Sequence, residues 1–313
     1  MSGPALAARG RELALELGRS TPLPAAGASR RRCAVLWELG RDDLQVARLV
    51  EPHLDAIAIA AEAGGSLRHG CWYAVWASAP RPVLRRRGDG TAALVGDQAF
   101  CSGAACCDAA LVAADEAGEV VLVDVDLRAG RERGTVEVDG RSWRTAAFDA
   151  TGTGTVSYED HPVLDGDLVG APGSYLSRPG FWHGALGPAA VWAGGAAGLV
   201  ELAERRGARG PHERALLGEL RSLRWALAAQ LDVAADEADA APADVGAARR
   251  RALLVRNLVE RQCTQVIDLF GRLCGPRALA QDAAAAARVQ ELGLYVRQVH
   301  READLDELGG PGW

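Results

Sequence analysis

The sequence predicts an α+β multidomain protein with N-terminal helices, a middle antiparallel β-domain and a C-terminal four-helix bundle. Three observations carry this expectation. Apolar residues recur at helical spacing to about residue 70, alternate with period two from 71 to about 170, and return to helical spacing from about 183 to 304. The β-rich segments follow one another at hairpin distances with no helices between them, which disfavours a parallel nucleotide-binding sheet. A chain of 313 residues also has enough length for more than one core. The expected divisions are 1–70, an abbreviated helical domain; 71–170, the β-domain; and 171–313, the bundle.

In the first zone, "PALAARGRELALELGRS" places its apolar residues on one helical face, and a Pro/Gly/Ser-rich break follows at 20–30. "RDDLQVARLVEPHLDAIAIAAEAG" then runs as a second long amphipathic stretch, stopped by Gly64-Gly65 and expected to kink or break at Pro52. In the second zone, "CWYAVWASA", "AALVG", "AALVAA", "EVVLVDVDL", "GTVEVDG", "SWRTAAFDA" and "TVSYED" read as short strands separated by turns such as Gly88-Asp89-Gly90 and Asp139-Gly140. In the third, helical blocks near 184–206, 211–238, 245–274 and 278–304 are punctuated by Gly207, Gly210-Pro211, Ala241-Pro242 and Gly275-Pro276. Short connections between long helices imply an antiparallel bundle.

Composition narrows the function. Hydrophobic residues make up 49% and charged residues 24%, values of an ordinary folded chain. A net charge of −6 opposes a dedicated nucleic-acid binder, and runs such as Arg85-Arg86-Arg87 and Arg249-Arg250-Arg251 read as solvated faces. No lysine is present, so neither a Schiff base to pyridoxal phosphate nor a P-loop lysine is available. The start of the chain lacks the pattern of a signal peptide and no stretch reads as a membrane span, so the expected location is cytoplasmic, with no membrane and no nucleic acid as partner.

Seven cysteines form no C-x-x-C and no paired Cys/His spacing, so no metal site is expected and they read as buried apolar residues. Cys106 and Cys107 are adjacent, which on a strand would send their side chains to opposite faces. "TGTGTVS" at 151–157 echoes a dinucleotide fingerprint but leads into "YEDHP" rather than a helix, and reads as a turn. No G-x-S-x-G occurs, and Ser102 has no adjacent base for a hydrolase mechanism. Arg297, His300, Arg301 and Asp304 share one face if their segment is helical, as an ion-paired or functional face.

Taken with the helix–β–helix order, several stretches resemble the acyl-CoA dehydrogenase family of flavoproteins. "WASAP" is similar to the family strand ending in Thr-Glu-Pro, with Ser78, Ala79 and Pro80 in place, and "FCSGA" is similar to its Trp-Ile-Thr/Ser-Asn-Gly/Ala strand. "ELGRDDLQVARLVEPHLDAIAIAAEAG", "GFWHGALGPAAVWAGGAAGLVELAERR", "LCGPRALAQD" and "LYVRQVHREADL" continue the likeness over roughly residues 30–308. The resemblance implies FAD, with Phe100 covering the isoalloxazine ring, Cys101 as a small apolar neighbour, Ser102 donating near N5 and Ser78 near the pyrimidine edge. It also implies diphosphate contacts at Arg206, or Arg205, and a glycine loop at Gly275. A flavin needs an apolar wall and donors where charge gathers on reduction, so these residue types are chemically apt.

The activity implied is oxidation of the CH–CH group of an acyl thioester, carried by CoA or a carrier protein, with a separate electron acceptor and a homo-oligomeric assembly. The chain departs from the family pattern in its chemistry. It ends "LDELGGPGW" with no Tyr-Glu-Gly, and the other family location for the proton-abstracting glutamate reads Leu186-Gly187-Pro188-Ala189, so no catalytic residue is assigned. The diphosphate stretch lacks its phenylalanine and glutamine. Two further readings therefore stand beside the dehydrogenase: a catalytically degenerate binding or dimerisation partner, and a flavin monooxygenase on the same fold.

Overall fold

The computed structural model describes residues 2–311. Packing groups the chain into two compact units, each discontinuous: Met1–Thr21 with Arg48–Phe181, and Pro22–Ala47 with Trp182–Trp313. Three consecutive zones are legible in sequence, whereas the early helices are shared between these two units.

The first unit is built on a seven-stranded sheet of β1 (Tyr73–Trp76), β2 (Val83–Arg86), β3 (Ala92–Cys101), β4 (Ala109–Glu116), β5 (Glu119–Asp126), β6 (Val136–Asp139) and β7 (Gly154–Val163). β3 pairs antiparallel with β2 and β7, β7 with β6, and β4 with β5. β1 and β2, however, both run parallel to β4, with Trp76 opposite Val112 and Val83 opposite Asp115. The sheet is thus mixed, and β2 is a strand where its arginines suggested only a solvated run. Two of its three arginine neighbours are ion-paired, Arg86 to Glu116 and Arg87 to Asp160. "SWRTAAFDA" forms no strand. It contributes part of a 3₁₀ turn at Gly140–Ser142 and of another at Asp149–Thr151; "TGTGTVS" begins at the last residue of the second, turns at Gly152 (φ +63°) and enters β7 at Gly154.

A short helix, α4 (Leu127–Glu132), interrupts the strands after β5, because the Asp126 carboxylate caps it by accepting from the Ala129 N–H at 2.9 Å. Helices α1 (Gly3–Leu17) and α3 (Leu44–Glu62) supply the helical side of this unit, α3 starting among residues of the second unit. Pro52 lies inside α3 and the helix runs through it unbroken. Ala56 and Ile59 of α3 pack on Tyr73, Leu111, Ala113 and Leu122 of the sheet. Short helices α5 (Ser174–Ser177) and α6 (Pro179–Gly184) follow β7.

The second unit contains α2 (Ser29–Asp42), α7 (Leu186–Arg206), α8 (Pro211–Ala240), α9 (Val245–Gln281), α10 (Ala283–Tyr295) and α11 (Arg301–Leu308). Helix α2 joins the expected bundle, because glycine lets its backbone approach α7 closely. A Cβ on Gly40 would lie 2.1 Å from the Val191 carbonyl oxygen, and one on Gly194 would lie 2.0 Å from that of Trp37. Arg288 of α10 donates to the last carbonyls of α2, at 2.5 Å to Arg41 and 2.7 Å to Asp42, which satisfies a helix end.

The fourth helical block is not continuous. Val296–Gln298 is a 3₁₀ turn and Val299 is extended, so Arg297, His300, Arg301 and Asp304 do not share one helix. Three of them make tertiary contacts instead: Arg297 donates to the fully buried Glu260 at 2.6 Å, Arg301 lies 3.7 Å from the same carboxylate, and Asp304 accepts from Asn257 at 3.5 Å.

One helical stretch among the described residues, Pro179–Arg206, is long and apolar enough by composition to cross a membrane, contrary to the sequence expectation. In the fold, 78% of its apolar window is buried against protein, which accounts for its character as that of a core helix.

Candidate functional site

The site grows from the ends of β1 and β3. Between Gln98, paired with Val156, and Cys101, paired with Gly154, strand β3 carries one residue more than β7, a bulge that lifts Phe100 out of the ladder. Phe100 adopts φ +61°, a left-handed conformation that an aromatic residue takes only at a cost of about 1–3 kcal/mol. The side chain gains no burial in return, being 64% exposed. It meets the Trp143 ring edge-on, with centroids 6.3 Å apart.

Three hydrogen bonds tie the loop after β1 to this bulge. Ser78 Oγ donates to the Ala99 carbonyl at 2.9 Å, the fully buried Gln98 donates to the Ser78 carbonyl at 3.1 Å, and Trp76 Nε1 donates to the Ser102 carbonyl at 3.0 Å. Ser78, Phe100 and Ser102 therefore come together around one turn. Their hydroxyls differ in state: that of Ser78 is committed to backbone, whereas that of Ser102 makes no hydrogen bond among the described residues. Ser102 is only partly buried and its proton is free for a ligand.

Cys101 turns the other way. Its thiol is fully buried, donates to the Gln98 carbonyl at 3.2 Å and is pushed well above the usual thiol range by burial. At this site Cys101 contributes packing, and its sulfur does not share the surface of Phe100.

The rest of the cysteine run forms a turn rather than a strand, which corrects the expected packing of Cys106 and Cys107. Gly103 has φ +75°, and a Cβ there would lie 2.6 Å from Cys107 Sγ, so the turn closes only with glycine. Cys106 is half-buried and its thiol donates to the Thr151 carbonyl, while Cys107 is fully buried and its thiol is pushed up by that burial. All seven cysteines are free, and among the described residues no three His, Cys, Asp or Glu side chains cluster as a metal site requires.

Arg206 and Gly275 lie at one corner of the helical unit. Arg206 donates to Glu213 at 3.2 and 3.3 Å and to the Gly207 carbonyl at 3.0 Å, and the Arg209 N–H adds a bond to Glu213 at 2.8 Å. The Arg206 pairing, first among these contacts, holds the Glu213 carboxyl down at about 2. Gly275 breaks α9 with φ +73°, next to Cys274, whose thiol feels the Arg206 charge. Arg205 makes only a loose pair with Glu201 at 3.8 Å.

Gln98, Trp76 and Trp143 escaped the sequence reading. Gln98 carried one signal, a polar residue in an otherwise apolar strand, but its fully buried position is set by strand pairing. The terminal carboxylates near the family base are also placed: Glu307 is paired with Arg249 at 2.6 Å, and Glu302 is exposed at the start of α11.

No family profile and no curated protein matches the chain. Solved structures do match. The dibenzothiophene monooxygenase TdsC from Paenibacillus sp. A11-2, in complex with FMN and indole, has a TM-score of 0.75 at 18% identity, over 98% of this chain and 94% of that chain. KijD3, in complex with FMN and a dTDP-linked amino-keto sugar, has a TM-score of 0.75 at 18% identity, over 97% and 90%. A nitrososynthase from Micromonospora carbonacea var. africana has a TM-score of 0.74 at 18% identity, over 99% and 94%. At such identity the likeness is one of fold.

Proposed function

We propose that this chain, which has the acyl-CoA dehydrogenase-like fold, is a flavin-dependent oxidoreductase and, more narrowly, a monooxygenase acting on a small organic substrate. The observation that carries the flavin reading is the Phe100 bulge beside the uncommitted Ser102 hydroxyl. An apolar ring face next to a free donor fits the isoalloxazine, which is flat, apolar on its faces and an acceptor along one edge. When bound, a flavin supplies two-electron redox chemistry, including the transfer of electrons to dioxygen.

The chain's own residues have defined parts in this reading. Phe100 and Trp143 cover the ring face and keep water from it, and Ser102 donates to the ring edge. Ser78, whose proton is spent on Ala99, is left to accept rather than donate. Gln98 holds the Ser78 loop against β3, and the neutral, buried Cys101 fills the space below.

Two observations favour oxygenation over acyl-thioester dehydrogenation. Leu186-Gly187-Pro188-Ala189 offers no carboxylate, and of the terminal glutamates Glu307 is neutralised by Arg249 and Glu302 is solvated. A dehydrogenation that begins with proton abstraction finds no unpaired, shielded carboxylate among these residues. The solved structures of like fold that carry the names monooxygenase and nitrososynthase support the same choice. FMN fits better than FAD, because Arg206 already has a carboxylate partner at the position the resemblance gives to diphosphate.

Visible absorbance after gel filtration of the full chain with FMN or with FAD tests the reading. Retained flavin, FMN more tightly than FAD, is expected. Colourless protein after both would sink it and leave the degenerate binding partner. With flavin bound, anaerobic acyl-CoAs are expected to leave the absorbance unchanged; bleaching would restore the CH–CH dehydrogenase.

A further inference from the structure

Within the helical unit, α10 meets the junction of α2 and α3 through a buried carboxyl that has no cation. Glu291 is 6% exposed, and its Oε1 accepts from Gln45 Nε2 at 2.7 Å. Among the described residues no arginine pairs with it. Arg288, one turn earlier on α10, donates instead to the Arg41 carbonyl at 2.5 Å and the Asp42 carbonyl at 2.7 Å. A side chain at Gly198 of α7 would occupy the place of that guanidinium.

A carboxylate is poorly accommodated in such a place. Taking its charge out of water needs a cation or several donors, and one amide N–H is a weak substitute. Asp43 adds a second negative charge at the start of α3, where its carboxylate accepts from the Gln45 and Val46 N–H groups at 2.9 and 3.2 Å. Burial first, then Asp43, pushes the Glu291 carboxyl up to about 7, while the Gln45 hydrogen bond and Arg288 act the other way. Arg288 is itself faced by Asp43, Asp42 and Glu201 of α7. The Gln45 amide agrees with a proton on Glu291. Its oxygen is buried and accepts from nothing among the described residues, yet it is bonded to the same carbon as the nitrogen that reaches Glu291. A protonated carboxyl brings to this pair an O–H donor that a carboxylate lacks.

We propose that Glu291 and Gln45 form a pH-operated clasp between α10 and the α2–α3 junction, closed while Glu291 carries its proton and loosened once that proton is released to solvent. The ionised carboxylate repels Asp43 and competes with the last α2 carbonyls for Arg288, which lies three residues away on the same helix face. The sign follows from the raised value. Stability contributed by the proton is fully present below the unfolded value of 4.5 and is lost as pH rises to about 7. The clasp does not depend on flavin use.

Hydrogen exchange of the full chain, read by mass spectrometry at pH 6 and pH 8 and corrected for the intrinsic rate, tests it. Peptides from α10 and from the end of α2 are expected to open about tenfold more at pH 8 than at pH 6, relative to peptides from α8. Glu291→Gln keeps a neutral side chain with a donor and an acceptor at every pH. It is expected to abolish that difference, so that α10 exchanges at pH 8 as the parent's does at pH 6. Asp43→Asn removes the second charge and is expected to move the transition of α10 to higher pH, and the melting temperature of each variant at pH 6 reports whether it has folded. Opening of α10 in the parent that does not change between pH 6 and pH 8 overturns the proposal. So does a folded Glu291→Gln chain that keeps the pH dependence; if that variant does not fold, an unmoved transition in Asp43→Asn overturns it instead.

Discussion

The turn joining β3 to β4 and the corner joining α7 to α8 both attracted attention as cofactor-binding sequence, yet they are built on opposite principles. At the turn, an aromatic residue is strained and exposed and a hydroxyl has no partner. At the corner, Arg206 is closed by Glu213, which Arg209 also holds. Groups that satisfy one another have little left for a ligand, so the open turn is the better guide to function. On the flavin reading proposed above, changes to Phe100 and Ser102 act on ligand binding, whereas changes to the Arg206–Glu213 corner act on the fold.

The largest effect is expected at Gly103, on which the open turn depends. Gly103→Val places a side chain against Cys107 Sγ in a left-handed conformation, and should destabilise the first unit by about 3 kcal/mol in urea unfolding, with loss of flavin retention. Stable, flavin-retaining protein would show that the turn's conformation is dispensable.

Phe100→Gly separates strain from function. Removing an exposed side chain from a left-handed position should raise stability by about 1 kcal/mol while lowering flavin affinity at least tenfold, read by melting temperature and fluorescence titration. Equal affinity would mean that the exposed ring serves something else. Ser102→Ala is expected to act more mildly, weakening flavin about three- to tenfold as one hydrogen bond is lost, with stability unchanged because the hydroxyl has no partner in the chain. A fall in stability instead would reassign Ser102 to the fold.

Glu213 gives the smallest effect and the reverse sign of outcome. Its carboxyl is lowered from 4.5 to about 2, first by the Arg206 hydrogen bond. A depressed folded-state value contributes stability above the unfolded value, lost as pH falls from about 4.5 towards 2. Glu213→Gln should therefore flatten the melting-temperature profile in that acid window and leave FMN affinity unchanged. If the substitution weakens FMN, the corner belongs to the flavin site after all.

Much of the architecture was readable from local pattern. The switch from helical to alternating apolar spacing near residue 71 reflects the requirement that one face of each element be buried, and Gly207 and Gly275 mark a helix end and a helix break by ordinary backbone preference. The parallel placement of β1 and β2 beside β4 was not readable, because pairing partners distant in sequence leave no local trace. Nor was the transfer of α2 into the helical unit, which rests on glycines at 40 and 194 that look incidental in a chain so rich in glycine.

For the site, residue types at Ser78, Phe100 and Ser102 pointed to a ring face and donors by resemblance alone. The sequence by itself determined the helical, strand-rich and helical zones in that order and the lack of lysine chemistry, since each depends only on which residues are present and how they repeat. Only the tertiary structure decided that Phe100 stands exposed on a bulge, that Ser102 keeps its proton free while Ser78 does not, and that Arg206 is already matched by Glu213. Those are questions of which polar group meets which, and hydrogen-bond partners are chosen by distance in space rather than by position along the chain.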